Sequence, residues 1–303
     1  MNILKCGAEY KKPIAIALGF FDCIHLGHCM LVNVAHECAA NFSGESALFT
    51  FDNDPSVLLG GEKQIYNVTE RAHALEALGL DNLIYATFDT NFAHKTPIQF
   101  LDSLTSSLNV KTIIVGEDYR FGKNAEGNIE LLTKYCKDNE IALKIEQFKM
   151  SDGYKISTSK LKNLVKSGDM RHLNSLLTQP YFMIGKVEHA RHVGSTVLGY
   201  PTANIAIDDS KLALADGIYA TKLYVDGKCY NSMTNVGAKP TFDISTPSIE
   251  AFIFDFDGDL YGKQVKLAFI ERTRGVIKFP SADALKEQLK ADEAQIRAIL
   301  SQE

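Results

Sequence analysis

Two histidines lie three positions apart in the segment GFFDCIHLGH, residues 19–28. His25 and His28 follow closely on the apolar run 14–18, so the pattern predicts a buried strand, a turn and then the start of a helix. The N-terminus of a helix favours an anion, and Gly27 allows the backbone to approach it closely. Two imidazoles there could donate to the charge that develops on a phosphate during its transfer. Alone, such a pair fits a structural role about equally well.

A second candidate for phosphate chemistry is the segment GYPTANI, residues 199–205. In a β-strand, residues two positions apart face the same side, so Thr202 and Asn204 direct a hydroxyl and an amide oxygen the same way. Hard oxygen ligands of this kind suit Mg²⁺ that is held together with the phosphates of ATP. The competing interpretation is a polar strand edge that binds no ligand.

Glu250 is the candidate catalytic base, and it lies in the segment IEAFIFDF, residues 249–256. It shares strand parity with Phe252, Phe254 and Phe256. An aromatic face partly desolvates a carboxylate, and this raises the pKa of the carboxyl group toward the range of a useful general base. The sequence therefore predicts a base carried by a strand.

The elements that must position the histidine pair alternate between apolar strands and helical patterns. The predicted strands are 14–18, 46–51, 82–88, 112–116 and 143–148. Such runs are typical of a parallel sheet covered on both faces by helices. Thr96 followed by Pro97 predicts the start of one helix, and Gly79 predicts the end of another. This is the pattern of a doubly wound, Rossmann-like α/β domain, which binds ligands at the carboxyl ends of its strands.

The pattern changes after two short predicted helices in residues 157–177. From residue 181 to 269 it consists of strands and tight turns, with Asp226–Gly227 as a two-residue hairpin signal. Ser281 is placed to cap an amphipathic helix over residues 281–300. The second half therefore predicts an antiparallel sheet or small barrel, and the domain boundary is expected between residues 178 and 179.

Composition narrows the class of protein. The chain has 303 residues, which suggests two domains, and its formal net charge of −5 gives no support to nucleic acid or an anionic membrane as a partner. Its apolar runs are too short to span a bilayer, and its N-terminus does not resemble a signal peptide. The six cysteines form no CxxC pair, which predicts reduced thiols in a cytoplasmic protein.

Residues 19–28 resemble the GxFDGxHxGH segment of the bacterial bifunctional riboflavin kinase/FAD synthetase family, which carries the HxGH signature of nucleotidylyltransferases. Residues 115–128 and 156–162 are similar to the family segments VGxDFRFGxxxxG and ISSTxIR. The resemblance implies that an FMN phosphate oxygen attacks the α-phosphate of ATP beside His25 and His28. The nucleotide- and phosphate-binding residues that it implies are Gly19, Phe21, Asp22, Gly27, Asp118, Arg120, Ser157, Thr158, Ser159 and Lys162.

The GYPTANI segment resembles the PTAN motif of riboflavin kinases, and the family's catalytic base corresponds to Glu250. The resemblance implies that Glu250 deprotonates the ribityl 5′-hydroxyl of riboflavin, which then attacks the γ-phosphate of ATP. The other residues that it implies for this site are Gly199, Pro201, Asn235 and Arg274, with Thr202 and Asn204 as Mg²⁺ ligands. The chain has no GxxxxGK[ST] segment, so a P-loop kinase is excluded.

We therefore predict a Rossmann-like FMN adenylyltransferase (FAD synthetase) domain, residues 1–178, followed by an antiparallel β-barrel riboflavin kinase domain with a C-terminal helix, residues 179–303. The predicted reactions are riboflavin to FMN and FMN to FAD, with ATP and Mg²⁺. The predicted partners are the small molecules riboflavin, FMN and ATP, with no nucleic acid and no membrane, and the sequence leaves the oligomeric state open.

Four positions depart from the family pattern, namely Cys23, Asn53, Asp54 and Lys162. They leave open a riboflavin kinase whose N-terminal domain is weak or regulatory. A flavin- or nucleotide-binding regulator without catalysis is the alternative from another class, and Glu250, Thr202 and Asn204 argue against it.

Overall fold

The computed structural model describes residues 1–147, 150–151, 154–188, 202–238 and 247–302. These residues divide into two compact units, Met1–Thr158 and Ser159–Glu303. The helices over residues 158–176 therefore group largely with the second unit, whereas the sequence placed the boundary at 178/179, which stays a prediction. Within the described part of the chain, no helix combines the length and apolar composition needed to cross a membrane.

The first unit is built on a parallel sheet, as the sequence predicted, but the sheet has six strands rather than the five predicted, because an edge strand near the N-terminus was missed. Its strands are β1 (Asn2–Lys5), β2 (Tyr10–Leu18), β3 (Glu45–Phe51), β4 (Asn82–Ala86), β5 (Leu108–Gly116) and β6 (Ala142–Glu146). The spatial order is β1-β4-β3-β2-β5-β6, so the order of the strands reverses at β2 and β5. In open α/β sheets this reversal marks the crevice in which ligands bind, at the carboxyl ends of the strands. The segment 19–25 leaves the carboxyl end of β2 at that point.

Helices alternate with these strands, as expected of a doubly wound domain. They are α1 (Leu26–Ala40), α2 (Val68–Glu76), α3 (Thr90–Ala93), α4 (Pro97–Thr105) and α5 (Ile129–Asp138), with 3₁₀ turns at Pro55–Leu59 and Lys123–Ala125. The predicted cap is confirmed, because the Thr96 hydroxyl accepts from the Gln99 amide and Pro97 opens α4. Gly79 adopts a φ of 77° three residues beyond the last residue of α2, so its role in ending that helix is also confirmed.

The second unit is a closed six-stranded antiparallel barrel with flanking helices. Its elements are α6 (Thr158–Ser167), α7 (Met170–Leu176), β9 (Phe182–Glu188), β10 (Thr202–Ala206), β11 (Gly217–Val225), β12 (Lys228–Ala238), β13 (Pro247–Ile253), β14 (Gln264–Arg274) and α8 (Ala282–Leu300). A short antiparallel pair, β7 (Met150–Ser151) and β8 (Tyr154–Lys155), precedes them. The barrel order is β10-β13-β12-β11-β14-β9.

Local sequence signals of the second unit are confirmed as well. Asp226 and Gly227 adopt φ values of 50° and 74° and form the tight two-residue turn between β11 and β12. The Ser281 hydroxyl accepts from the Ala284 amide and caps α8. On α8, Ile296 is fully buried and Leu289 packs against the same apolar cluster on the outside of the barrel. The helix therefore covers one outer face of the barrel.

Candidate active sites

His25 is the N-cap of α1, a position that serine, threonine, aspartate or asparagine usually occupies. Its Nδ1 accepts the backbone N–H groups of Gly27 and His28, at 3.1 and 3.3 Å. A ring nitrogen that accepts these bonds carries no proton, so the neutral His25 ring is protonated at Nε2. His25 can therefore donate from Nε2 without taking up a proton.

His28 has the opposite tautomer. Its Nδ1 lies 2.7 Å from the backbone carbonyl oxygen of Cys23, which can only accept, so the proton is on Nδ1. Desolvation by the densely packed surroundings lowers the pKa of His28 to about 4, although the hydrogen bond to the Cys23 carbonyl opposes this effect. The ring is only partly exposed, and the Phe21 ring meets it edge-on with centroids 4.8 Å apart. A neutral His28 presents a lone pair at Nε2, and it becomes a donor there only when protonated.

The glycines of the turn are required by close contacts. A Cβ on Gly19 would lie 2.7 Å from the ring of Phe21, and one on Gly27 would lie 3.0 Å from the ring of His25. Phe21 itself has a φ of 50°. Asp22 fastens the turn, because its Oδ1 accepts the amides of Ile65 and Tyr66 at 2.7 and 3.3 Å. Gly19, Phe21, Asp22 and Gly27, which the sequence predicted as phosphate-site residues, thus shape the backbone around the histidines.

Arg71 is a fully buried cation under the same turn, and sequence reasoning missed it. Its Nη1 donates to the carbonyl oxygen of Phe20 at 3.0 Å and to Oγ1 of Thr50 at 2.8 Å, and its Nη2 donates to Gln64 at 3.0 Å. Burial lowers the pKa of Arg71 to about 10, and the carboxylates of Asp22 and three other acidic residues oppose that shift. Arg71 therefore stays charged near neutral pH and fixes the backbone that precedes the histidines.

The predicted loop 115–128 follows β5, which pairs with β2, so it begins at the same sheet edge as the histidine turn. Asp118 and Arg120 are exposed there, whereas Phe121 is buried and its ring stacks on that of Tyr119 with centroids 5.4 Å apart. The aromatic pair therefore supports the loop, and the charged side chains face solvent.

The segment 156–162 forms a helix start, as predicted. Helix α6 begins at Thr158, directly after Ser157, and Lys162 lies one turn further on and is buried, whereas Ser159 is exposed. The two units divide between Thr158 and Ser159. Of the phosphate-binding residues predicted in this segment, only Ser157 and Thr158 therefore belong to the unit that carries the histidines.

The departures at positions 53 and 54 have structural partners. The Asn53 side chain accepts the amide of Phe88 at 2.7 Å and donates to its carbonyl oxygen at 3.0 Å. Asp54 accepts the amide of Ser56 at 2.8 Å and caps the 3₁₀ turn that follows. These residues order the chain that follows β3.

In the barrel, the predicted kinase residues come together on the outer face that α8 covers. Register pairs Glu250 with Asn204 on one side and with Asn235 on the other, and it pairs Thr202 with Phe252. Directly paired residues of antiparallel strands share a face. Glu250, Asn204, Asn235 and Thr202 therefore form one polar group on three adjacent strands. Gly199 and Pro201 lie outside the described residues.

Two cavities meet at this polar group. The smaller, about 350 Å³, is lined by Glu250, Asn235 and Arg274, and most of its other lining side chains are apolar. The larger, about 660 Å³, carries several carboxylates from the connection between β13 and β14. Thr202 and Phe252 line both cavities, so the wall between them is at the polar group.

Comparisons with known proteins agree with the division of the chain into two units. One family model, described as FAD synthetase, matches residues 7–160, and another, described as riboflavin kinase, matches residues 177–300. The bifunctional riboflavin kinase/FMN adenylyltransferase of Bacillus subtilis is 34% identical over 294 residues, which cover 95% of this chain and 92% of that protein. The protein of the same name from Listeria monocytogenes is 34% identical over 292 residues, covering 94% and 92%.

A solved structure, described as a macrolide-efflux protein from Streptococcus pneumoniae, matches with a TM-score of 0.85 and 29% identity, over 98% of this chain and 99% of that one. The fold and both family matches thus extend over nearly the whole sequence, and they favour two activities over a kinase with a weak or regulatory N-terminal domain. The chain belongs to the family of bifunctional riboflavin kinase/FMN adenylyltransferases.

Proposed function

We propose that FMN adenylylation takes place at the histidine turn and that riboflavin phosphorylation takes place at Glu250. The observation that carries the second assignment is the pair of cavities that share Thr202 and Phe252, with a carboxylate in the more apolar one. The observation that carries the assignment of FMN adenylylation is the location of His25 at a helix N-terminus, where the order of the strands in the sheet reverses.

At the histidine turn, an FMN phosphate oxygen attacks the α-phosphate of ATP and pyrophosphate leaves. His25 donates from Nε2 to an oxygen of the α-phosphate, and its Nδ1 stays bound to the helix. His28 donates from Nε2 once an anion beside it has raised its affinity for a proton. Both contacts strengthen as charge builds in the transition state.

In the barrel, the apolar cavity takes the flavin ring of riboflavin, and ATP binds with its terminal phosphate toward Thr202. Glu250 accepts the proton of the ribityl hydroxyl, the hydroxyl oxygen attacks the γ-phosphate, and ADP leaves. The amide side chains of Asn204 and Asn235, on the strands beside Glu250, are placed to orient the base and the hydroxyl.

Thr202, which lines both cavities, and Asn204, two residues further along the same face of β10, carry donors that fit Mg²⁺. Thr202 and Asn204 offer neutral oxygen atoms on one face, and the described residues contain no group of three or more His, Cys, Asp or Glu that could hold a metal. Mg²⁺ keeps several waters and binds through substrate phosphates, so two protein oxygens suit it. When bound, it would neutralise charge on the ATP phosphates.

We assign the domains to residues 1–178 and 179–303, and the six free thiols fit a cytoplasmic location.

The test is incubation of the protein with riboflavin, ATP and Mg²⁺, followed by chromatographic separation of FMN and FAD. Two products support both sites. FMN alone would favour a kinase with a weak or regulatory N-terminal domain, and the absence of both would favour a binding protein. Repeating the assay with Glu250→Gln and His28→Ala assigns each product to its site.

A further inference from the structure

Arg274 and Asp292 form a buried ion pair between β14 and α8. Arg274 Nε lies 3.0 and 3.1 Å from the two carboxylate oxygens of Asp292, and Nη2 lies 2.6 Å from Oδ2. The Asp292 side chain is 1% exposed and that of Arg274 is 17% exposed. Gln288 donates to Asp292 Oδ1 at 2.8 Å. The pair is therefore desolvated and fixed in a bidentate geometry, which is the strong form of such a contact.

The hydrogen bonds of Arg274 leave part of its guanidinium facing the cavity. A guanidinium has five N–H donors. Nε and one N–H of Nη2 are used by Asp292, and one N–H of Nη1 donates to the Gly275 carbonyl oxygen at 3.0 Å. Among the described residues no further acceptor contacts this group, and Arg274 lines the 350 Å³ cavity. Two donors thus remain for a molecule in that cavity.

The position of Arg274 indicates which part of that molecule it contacts. Register runs from Glu250 to Asn235, then to Ile218 and then to Arg274, across four adjacent strands. Along the curved wall of the closed barrel, three intervals between neighbouring strands amount to about 14 Å, and the straight distance is shorter. Glu250 and Arg274 therefore line the same cavity from different strands, three intervals apart along the wall. A riboflavin whose reacting hydroxyl is at Glu250 would extend its ring, with its two carbonyl oxygens, toward Arg274.

We propose that Asp292 is a positioning residue of the kinase site: it orients Arg274 so that the two remaining N–H donors bind the carbonyl edge of the flavin ring. This inference rests on the assignment of riboflavin phosphorylation to the Glu250 cavity. Asp292 does not itself touch the substrate, and its effect is on riboflavin affinity through Arg274.

The alternative is that Asp292 merely fastens α8 to the barrel. The chain offers a matched control for it, because Arg297 of the same helix makes a bidentate pair with Asp255 at 2.8 and 3.1 Å, but at the surface. Arg297 lines neither cavity, and its partner Asp255 lines the larger cavity but not the one that contains Arg274. Arg297→Gln removes a helix-to-barrel pair of the same kind and leaves Arg274 in place.

The experiment compares steady-state kinase kinetics and flavin binding of Asp292→Asn, Arg274→Lys and Arg297→Gln. We expect Asp292→Asn to raise the KM for riboflavin by roughly tenfold or more, because the charge-assisted contact that orients Arg274 is lost. The kcat and the KM for ATP should stay within about twofold of the parental values. Lumichrome, which has the ring without the ribityl chain, should lose affinity by a similar factor in fluorescence titrations. Arg297→Gln should keep the parental riboflavin KM and lumichrome affinity, and Asp292→Glu should recover part of the affinity.

Arg274→Lys keeps the charge and the partner but loses the fork, so it should raise the riboflavin KM even if Asp292→Asn folds poorly. An unchanged riboflavin KM and lumichrome affinity in Asp292→Asn or Arg274→Lys would overturn the proposal, as would an equal loss in Arg297→Gln. Glu250→Gln separates the two hypotheses: full kinase activity in that variant would refute the site assignment itself, whereas loss of turnover with normal lumichrome binding would leave only Asp292 under test.

Discussion

His25 and His28 stack with ring centroids 3.6 Å apart and 23° between their planes, yet they carry their protons on opposite nitrogens. The helix N-terminus holds Nδ1 of His25 as an acceptor, and the Cys23 carbonyl holds Nδ1 of His28 as a donor. Two charged imidazoles at this distance would repel each other. The pair therefore supplies one donor that needs no proton and one that must take up a proton beside an anion.

Replacing each histidine separately should distinguish their roles. His28→Ala should lower FAD synthesis by the equivalent of about 2.7–4 kcal/mol in the barrier, the usual loss for one transition-state donor, and leave riboflavin phosphorylation unchanged. His25→Ala should also lower the free energy of unfolding by about 1 kcal/mol, because α1 loses its cap. Activity assays and denaturant unfolding measure the two effects. Normal FAD output by His28→Ala would leave only a structural role for that residue.

Stability should depend on the protonation of His28. Its pKa is about 4 in the folded protein and near 6.5 in an unfolded chain, so the unfolded state binds more protons between these values. The free energy of unfolding should therefore fall as the pH drops from about 6.5 to 4. His28→Asn should reduce that dependence. Equal pH dependence of the parent and His28→Asn in urea unfolding would contradict the prediction.

Glu250→Gln keeps the shape of the side chain and removes the base. It should lower FMN formation by roughly a hundredfold or more, since a positioned general base contributes at least that factor. Conversion of supplied FMN to FAD should be nearly unchanged. Separate assays with riboflavin and with FMN as substrate test this, and an equal loss of both activities would contradict two independent sites.

The strands, the helix starts and the family motifs could be predicted because each depends on local sequence. Strand β1 was not predicted, since four residues at a sheet edge carry little periodicity. The N-cap role of His25 was also missed, because capping preferences favour shorter polar side chains. The family resemblance identified the predicted site residues, but it did not predict which ring nitrogens of His25 and His28 carry the protons.

Arg71 and Asp292 were missed for a different reason. Each is a charged residue in a helix, where a charge usually indicates exposure, and its burial depends on partners in other elements of the fold. A local signal does exist, because Asp292 falls on the same helical stripe as Leu289 and Ile296, and Arg71 falls four residues before Leu75. A charge on an apolar stripe indicates a buried ion pair or hydrogen-bond network, but the pattern does not identify the partner.

Arg71→Lys should impair FAD synthesis without touching either histidine. Lysine keeps a charge at this buried position but cannot reach Phe20, Thr50 and Gln64 together, as the planar guanidinium does. We expect the free energy of unfolding to fall by several kcal/mol, since a buried charge loses part of its network. FAD synthesis by the folded fraction should fall by roughly tenfold, because the turn that carries the histidines is less well fixed.

Thr50→Val is the milder variant for the same network. It removes the hydroxyl that accepts from Arg71 and donates to the Phe20 carbonyl oxygen, while the bond from Arg71 to that oxygen is kept. We expect it to lower the free energy of unfolding by about 1–3 kcal/mol and to leave more FAD synthesis than Arg71→Lys does. Riboflavin phosphorylation, measured in the same preparations, should match the parent in both variants. Parental FAD synthesis by a fully folded Arg71→Lys protein would show that the turn holds its geometry without the guanidinium.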